Sequence, residues 1–268
     1  MTDALSARHA EVKRLRALLR DAKAREVEDA FVVEGPRAVE AALDRGADLE
    51  SVYLGLGAST AFATLVARLD GAGIRRADLK EGVLEKIGTT RTPQPMLAVA
   101  RGTVRPFTAA AGSSIMVVAI GVSDPGNLGT IIRSAEAAGA DAVVACGDAV
   151  DPRNPKVVRS SAGALFGVPV MDATDPIPVL EALRTDGRRI IGAAAEGGAA
   201  PHSVDLVSRC ALIVGNEARG LPNEVASRLD QLVSIPMAAA AESLNVAMAT
   251  TVLLFEAARQ RHLSLAER

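Results

Sequence analysis

Ile115-Met116-Val117-Val118-Ala119-Ile120 runs without a polar residue into Gly121-Val122-Ser123-Asp124-Pro125-Gly126-Asn127-Leu128-Gly129, and the reading of this stretch decides the fold. An unbroken apolar run of strand length implies burial on both faces, as in a parallel sheet covered by helices. The polar cluster that ends it leads into helical spacing over 129–138, which carries Arg133. Working outward, strands are expected at 115–121, 142–146, 168–171, 189–194, 210–214 and 232–235. Helices are expected between and after them at 129–138, 155–164, 176–185, near 222–228 and at 243–262. Strand and helix in alternation predict an α/β unit with a mostly parallel sheet.

Two further polar clusters follow apolar strands: Gly215-Asn216-Glu217-Ala218-Arg219-Gly220-Leu221-Pro222 and Glu242-Ser243-Leu244-Asn245. Open α/β sheets bind ligands at the carboxyl ends of their strands, so three such clusters in one half of a chain suggest one composite site. Each also has a plainer reading. Gly126 and Gly129 can serve a tight turn, and Pro222 suits the first position of a short helix. Ser243 is expected to cap the last helix, with Asn245 just inside it. Glu217 is harder to explain as a turn residue, because a carboxylate directly after a buried strand is costly without partners. In the first cluster Arg133 is expected one turn into its helix, near the free N–H groups, where anions bind. Gly126-x-x-Gly129 with Asp148 about twenty residues on imitates a dinucleotide fingerprint, but Asp124 stands where the leading glycine belongs, and a nicotinamide site is set aside.

The chain has 268 residues, 49% of them hydrophobic, and a formal net charge of −2. That is enough apolar material for one large domain or two ordinary ones. No apolar run reaches membrane-spanning length, and the N-terminal Met1-Thr2-Asp3-Ala4 opens onto a basic amphipathic stretch rather than a secretory pattern. Cys146 and Cys210 sit in apolar runs and read as reduced core thiols, and His9, His202 and His262 are scattered, so no metal is expected. The expected location is the cytoplasm.

Residues 1–25 concentrate positive charge in Arg8, Lys13, Arg14, Arg16, Arg20, Lys23 and Arg25, which suits phosphate attraction as well as it suits a solvated helix face. The first part of the chain reads as a small α/β unit. It has a helix over 8–27, a strand at Phe31-Val32-Val33-Glu34-Gly35 and a helix over 36–45, and further strands near 51–56, 73–77 and 96–100. The stretch Arg101–Ser114 lacks periodicity and marks the boundary. The expected division is 1–105, a linker at 106–114, and 115–268.

Together the clusters resemble the SpoU (TrmH) family of the SPOUT superfamily of RNA methyltransferases. Asn127, Gly129 and Arg133 match its first motif, Asn216-Glu217 with Gly220 its second, and Ile235-Pro236 with Ser243, Leu244 and Asn245 its third. Phe31–Gly35 and Thr92-Pro93-Gln94 resemble a ribosomal protein L30e-like substrate-binding domain, with Pro95 where many relatives carry glycine. The resemblance implies a deep trefoil knot, a homodimer, and S-adenosylmethionine as methyl donor, held by Ala193, Gly215, Asn216, Glu217, Gly220, Ile235 and Leu244. It implies ribose 2′-O-methylation served by Arg133, Asn127, Glu217, Ser243 and Asn245, with Glu217 orienting Arg133 or neighbouring backbone. RNA contacts are expected from Lys13, Arg14, Arg16, Glu34, Arg37, Arg91 and Gln94. With five Phe, one Tyr and no Trp, recognition by shape and phosphate is expected over base stacking. The two-part layout favours 23S rRNA; a tRNA substrate and a thiopeptide-resistance role on 23S rRNA stay open.

Overall fold

A computed structural model describes residues 4–89, 92–108, 115–238 and 243–266, with side chains as far as 264. The chain divides into two compact units, Met1–Thr103 with Arg153–Gly167, and Val104–Pro152 with Val168–Arg268.

In the first unit, α1 (Ala10–Arg20) and α2 (Ala22–Glu28) replace the single helix expected over 8–27. The break falls at Asp21, whose extended backbone lets its carboxylate accept the Lys23 N–H and cap the second helix. β1 (Ala30–Glu34), α3 (Pro36–Asp44), β2 (Asp48–Leu54), α4 (Ala58–Ala61), α5 (Ala63–Gly71), β3 (Arg75–Asp78), α6 (Val83–Ile87) and β4 (Met96–Arg101) follow. The strands form a mixed sheet in the order β1-β4-β2-β3, parallel only between β2 and β3. Val12, Leu15, Leu18 and Leu19 turn one face of α1 onto Val32, Tyr53, Leu97 and Val99. Burial of such side chains is worth about 1.5–3 kcal/mol each.

In the second unit, β5 (Val104–Pro106), β6 (Ile115–Ile120), α7 (Pro125–Ala137), β7 (Ala142–Cys146), α8 (Pro155–Ser160, packed in the first unit), β8 (Val170–Ala173), α9 (Pro176–Thr185), β9 (Arg189–Ala193), β10 (Cys210–Val214), α10 (Asn223–Ala226), β11 (Gln231–Val233) and α11 (Val246–Ala266) occur in sequence. Seven strands lie in the order β11-β9-β10-β6-β7-β8-β5, parallel at every pairing. β6 is buried at all six positions, as its unbroken apolar run requires. Cys146 and Cys210 are free, buried thiols, each pushed up to about 11 by burial; they stay protonated and packed.

Two features depart from the linear division. β5 takes the last two residues of the expected first part and the first residue of the expected linker, and it extends the seven-stranded sheet by pairing with β8; residues 109–114 of that linker lie outside the described residues. Residues 153–167 lie between strands of the second unit yet pack in the first. There Phe166 stacks on Phe31 at 6.1 Å and Arg159 donates to Glu34. At Gly163, φ +92°, a Cβ would stand 2.6 Å from that of Ala41, so any side chain would push this segment off α3.

Candidate active site

The site of the second unit lies at the carboxyl ends of four adjacent strands, β11, β9, β10 and β6. β6 ends at Gly121, φ +65°, and the chain turns through Ser123 to Asp124, whose carboxylate accepts the Asn127 N–H at 2.9 Å and caps α7. With Pro125 at its first position, this helix begins four residues earlier than its spacing predicts. Gly126 and Gly129 are helical, with no positive φ, so the tight turn open to them is not formed. Arg133 is then more than two turns from the helix start, about 12 Å along the axis at 1.5 Å per residue. The dipole of the first turn does not reach it.

β10 ends at Gly215, where a Cβ would meet the Gly220 carbonyl carbon at 2.5 Å and the Leu221 nitrogen at 2.8 Å. The backbone of the following turn occupies that volume. Asn216 and Gly220 exchange both backbone hydrogen bonds, at 3.0 and 2.9 Å, and Gly220 takes φ +66° to close the turn. The Asn216 side chain accepts the Ala218 and Arg219 N–H groups, both at 3.0 Å, and donates to the Gly121 carbonyl at 2.8 Å. One amide therefore shapes the turn and ties it to the end of β6.

That tie brings Glu217 to the start of α7. Its carboxylate accepts from the Ser123 N–H and hydroxyl, the Asp124 N–H and the Asn127 side-chain amide, at 3.3, 3.2, 3.2 and 2.9 Å. Burial pushes its pKa up, but the hydrogen bonds led by Asn127 outweigh burial and hold it below the ordinary carboxylate value. Glu217 is an anion whose charge is met by neutral donors, and it makes no bond to Arg133.

Asn127 passes the connection on, its carbonyl oxygen accepting from the Asn245 amide at 2.9 Å. Asn245 in turn accepts the Ala247 and Met248 N–H groups at 2.9 and 3.3 Å. Asn245, not Ser243, thus caps the last helix, which starts at Val246. Both ends of this row are unambiguous: a carboxylate can only accept and a backbone N–H can only donate, so both asparagine amides have one permitted orientation. Each NH₂ keeps a second hydrogen for another partner.

A cavity of about 300 Å³ opens among the strand ends. Ala193, Gly215, Asn216, Glu217, Gly220, Ile235 and Leu244, the residues expected around a methyl donor, all line it, as does Ser243. Val214, Val246 and Leu253 add apolar wall. Glu217 belongs both to the wall and to the asparagine row. Arg133 lies on the exposed face of α7, outside the wall, with no partner among the described residues. Sequence reading did not single out Ala194, Ala195 or Met237 of the wall; small apolar residues after a strand carry no chemical signal.

The expected RNA contacts of the first unit are less uniform. Lys13 is exposed, whereas Arg14 is held by Glu28 and bidentately by Glu50, a carboxylate lowered to about 2 by Arg14. Arg16 is partly buried, with its Nε unpartnered. Glu34 is buried, one oxygen accepting from Thr89 at 2.8 Å and Arg159 at 3.2 Å and the other without a partner. Arg37 is exposed, and the exposed Gln94 lies against Gly35, whose φ of +101° suits glycine alone. Arg91 lies outside the described residues. Among the described residues there is no group of three or more metal-ligating side chains and no helix long and apolar enough to cross a membrane.

Comparison with known proteins gives this geometry a family. Residues 114–255 match the SpoU rRNA Methylase family and residues 9–98 the MRM3-like substrate binding domain. The 23S rRNA (guanosine-2′-O-)-methyltransferase RlmB of Xanthomonas axonopodis pv. citri is 44% identical over 57% of the chain, which spans 61% of that relative's length. The 23S rRNA (guanosine(2553)-2′-O)-methyltransferase RlmP of Bacillus subtilis is 33% identical over 87% of the chain and 90% of its own. The structure of an AdoMet-bound rRNA methyltransferase from Sinorhizobium meliloti superposes with a TM-score of 0.83 at 30% identity, covering 96% of this chain and 98% of that one. With a family match over more than half its length and full-length relatives above 30% identity, the chain belongs to the SpoU family of rRNA methylases.

Proposed function

We propose that the protein transfers a methyl group from S-adenosylmethionine to a ribose 2′-hydroxyl of 23S rRNA. The observation that carries this reading is the row Glu217–Asn127–Asn245, assembled from three separate segments, with Glu217 at one end forming part of the cavity wall. The ribosomal substrate is supported by the names of the relatives, both 23S rRNA ribose methyltransferases.

The cavity fits the donor. Its volume is at the lower end for a small-molecule site, its walls are mostly apolar with Asn216, Glu217 and Ser243 among them, and Gly215 leaves no room for a side chain of its own. Ala193, Gly215, Ile235 and Leu244 would hold the adenosine, with Asn216 and Gly220 fixing the turn beside it. When bound, S-adenosylmethionine supplies a methyl already activated by its sulfonium. The protein's own task is to align a weak nucleophile and ease its proton loss. Arg133, charged at any working pH, acts on substrate phosphate and the developing alkoxide rather than as a base. Asn127 and Asn245 direct their spare amide hydrogens at the ribose, Ser243 adds a hydroxyl, and Glu217 keeps Asn127 in its one useful orientation.

The same reading includes a deep trefoil knot in the second unit, of a kind rare among folds. It includes an L30e-like first unit that grips RNA through Lys13, Arg16 and Arg20, which share one face of α1, together with Arg37, Gln94 and Arg91. Arg14 and Glu34 serve that unit internally. It also includes a cytoplasmic homodimer. Met248, Val252 and Phe255 form an exposed apolar row on α11, opposite the buried Ala247, Leu254 and Ala257, and a helix apolar on both faces calls for cover on both.

Mapping of ribose 2′-O-methylation in total RNA, with and without the gene, tests this reading. Loss of one site in 23S rRNA is expected. An unchanged rRNA map with a site lost in tRNA would transfer the activity to tRNA, and no lost site at all would remove it.

A further inference from the structure

Positive charge in the second unit is carried by arginine; the unit contains no lysine. Most of these arginines are spoken for. Arg184, Arg188, Arg189, Arg209, Arg228 and Arg259 each pair with an Asp or Glu, and Arg261 donates to the Ala138 carbonyl at 3.0 Å. Among the described residues of the unit, only Arg105, Arg133 and Arg219 lack such a partner. Arg105 lies on β5 at the sheet edge farthest in strand order from the site. The other two belong to it: Arg133 is on the helix whose first turn holds Asn127, and Arg219 is on the turn that carries Glu217.

Arg219 is displayed by a backbone built to be rigid. Its N–H is held by Asn216 Oδ1, and the turn is closed on both sides by the Asn216–Gly220 pair. Ala218 and Gly220 line the cavity while Arg219 between them does not, so its exposed guanidinium belongs outside the wall, beside the mouth. The carboxylate nearest in sequence, Glu217, is already met by five neutral donors, the Asn216 amide at 3.4 Å among them. It cannot serve Arg219 as a counter-ion without losing its hold on Asn127. An exposed arginine kept unpaired on a fixed turn is complementary to an anion brought by a ligand, and the planar fork suits phosphate.

We propose that Arg219 binds a backbone phosphodiester of the RNA next to the target ribose. This rests on the methyltransferase reading above. Arg219 is a substrate-binding residue, separate from the donor cavity.

The experiment compares the unaltered protein with R219Q and R219K. Its readouts are KM and kcat on an unmodified 23S rRNA transcript, the salt dependence of binding to that transcript, and S-adenosylmethionine affinity by calorimetry. For R219Q we expect KM for the transcript to rise roughly fivefold at physiological salt. The slope of log K against log salt should fall by about one, with donor affinity and kcat within twofold of the unaltered protein. R219K should recover most of the loss. Because the turn uses only the backbone of residue 219, unchanged donor affinity also reports an intact fold. A transcript KM and salt slope unmoved in R219Q would overturn the proposal, as would weakened donor affinity with normal RNA binding, which would assign the guanidinium to the donor's carboxylate. If the unaltered protein neither binds nor methylates the transcript, the parent reading falls and this one with it.

Discussion

The two units treat their functional polar side chains in opposite ways. In the seven-stranded unit, Asn127 and Asn245 lie 118 positions apart and follow β6 and β11, which β10 and β9 separate, yet they meet through a 2.9 Å hydrogen bond. In the four-stranded unit, the residues expected to touch RNA are divided between solvent and the interior. Lys13 and Arg37 are exposed, Arg14 is clamped by Glu28 and Glu50, and Glu34 is buried. A parallel sheet fixes where every strand ends, so polar residues placed after apolar strands must converge. A charged helix face has no such constraint, and its availability depends on partners elsewhere in the chain.

The sharpest way to break this contrast is at Arg133, exposed and outside the cavity wall. In the proposed function, replacing it with alanine removes a charge that acts only on substrate and developing alkoxide. We expect kcat to fall about 10²- to 10³-fold, with donor affinity and melting temperature unchanged. A near-normal kcat in R133A would detach Arg133 from the chemistry and leave the asparagine row without its cation.

A smaller effect tests the cavity itself. Gly215→Ala places a methyl group 2.5 Å from the Gly220 carbonyl carbon, where backbone rather than a flexible side chain must yield. The displaced turn carries Asn216, Glu217 and Gly220. Donor affinity should drop at least about tenfold, with an overpacking cost of roughly 1–3 kcal/mol in stability. Normal donor affinity in a folded G215A protein would place the donor elsewhere.

The smallest effect separates two neighbours on α1. Lys13→Glu should weaken RNA binding a few-fold and lower its salt slope by about one, without loss of stability. Arg14→Glu should instead destabilise the first unit, because it turns the Glu28 and Glu50 pairings into repulsions between partly buried carboxylates. Equal effects of the two reversals on RNA binding, with no loss of stability in either, would show that the ion pairs of Arg14 do not withhold it from RNA.

What could be read beforehand follows the same division. The unbroken run 115–120 and the alternation after it were enough to expect a parallel α/β sheet, because burial on both faces is written directly in composition. The three clusters could be located for the same reason. Several details were not legible. Apolar spacing puts Arg133 too near a helix start, because Asp124 caps the helix earlier than that spacing suggests. The capping role went to Ser243 because Asn245 shows its double use only when Asn127 is beside it. Nothing local marks residues 153–167 as packing in the first unit, since Phe31, Glu34 and Ala41 precede them by more than a hundred positions. Arg14 carries no sign of Glu50, 36 residues away.

The central claim is that the Glu217–Asn127–Asn245 row and the cavity beside it form one ribose-methylating centre. Its most direct test is incubation of the purified protein with an unmodified 23S rRNA transcript and S-adenosylmethionine carrying a labelled methyl group, followed by nuclease digestion and identification of the labelled nucleoside. The account predicts label in a single 2′-O-methylated nucleoside, abolished in N127A. Label on a base, or a 2′-O-methyl product undiminished in N127A, would contradict it.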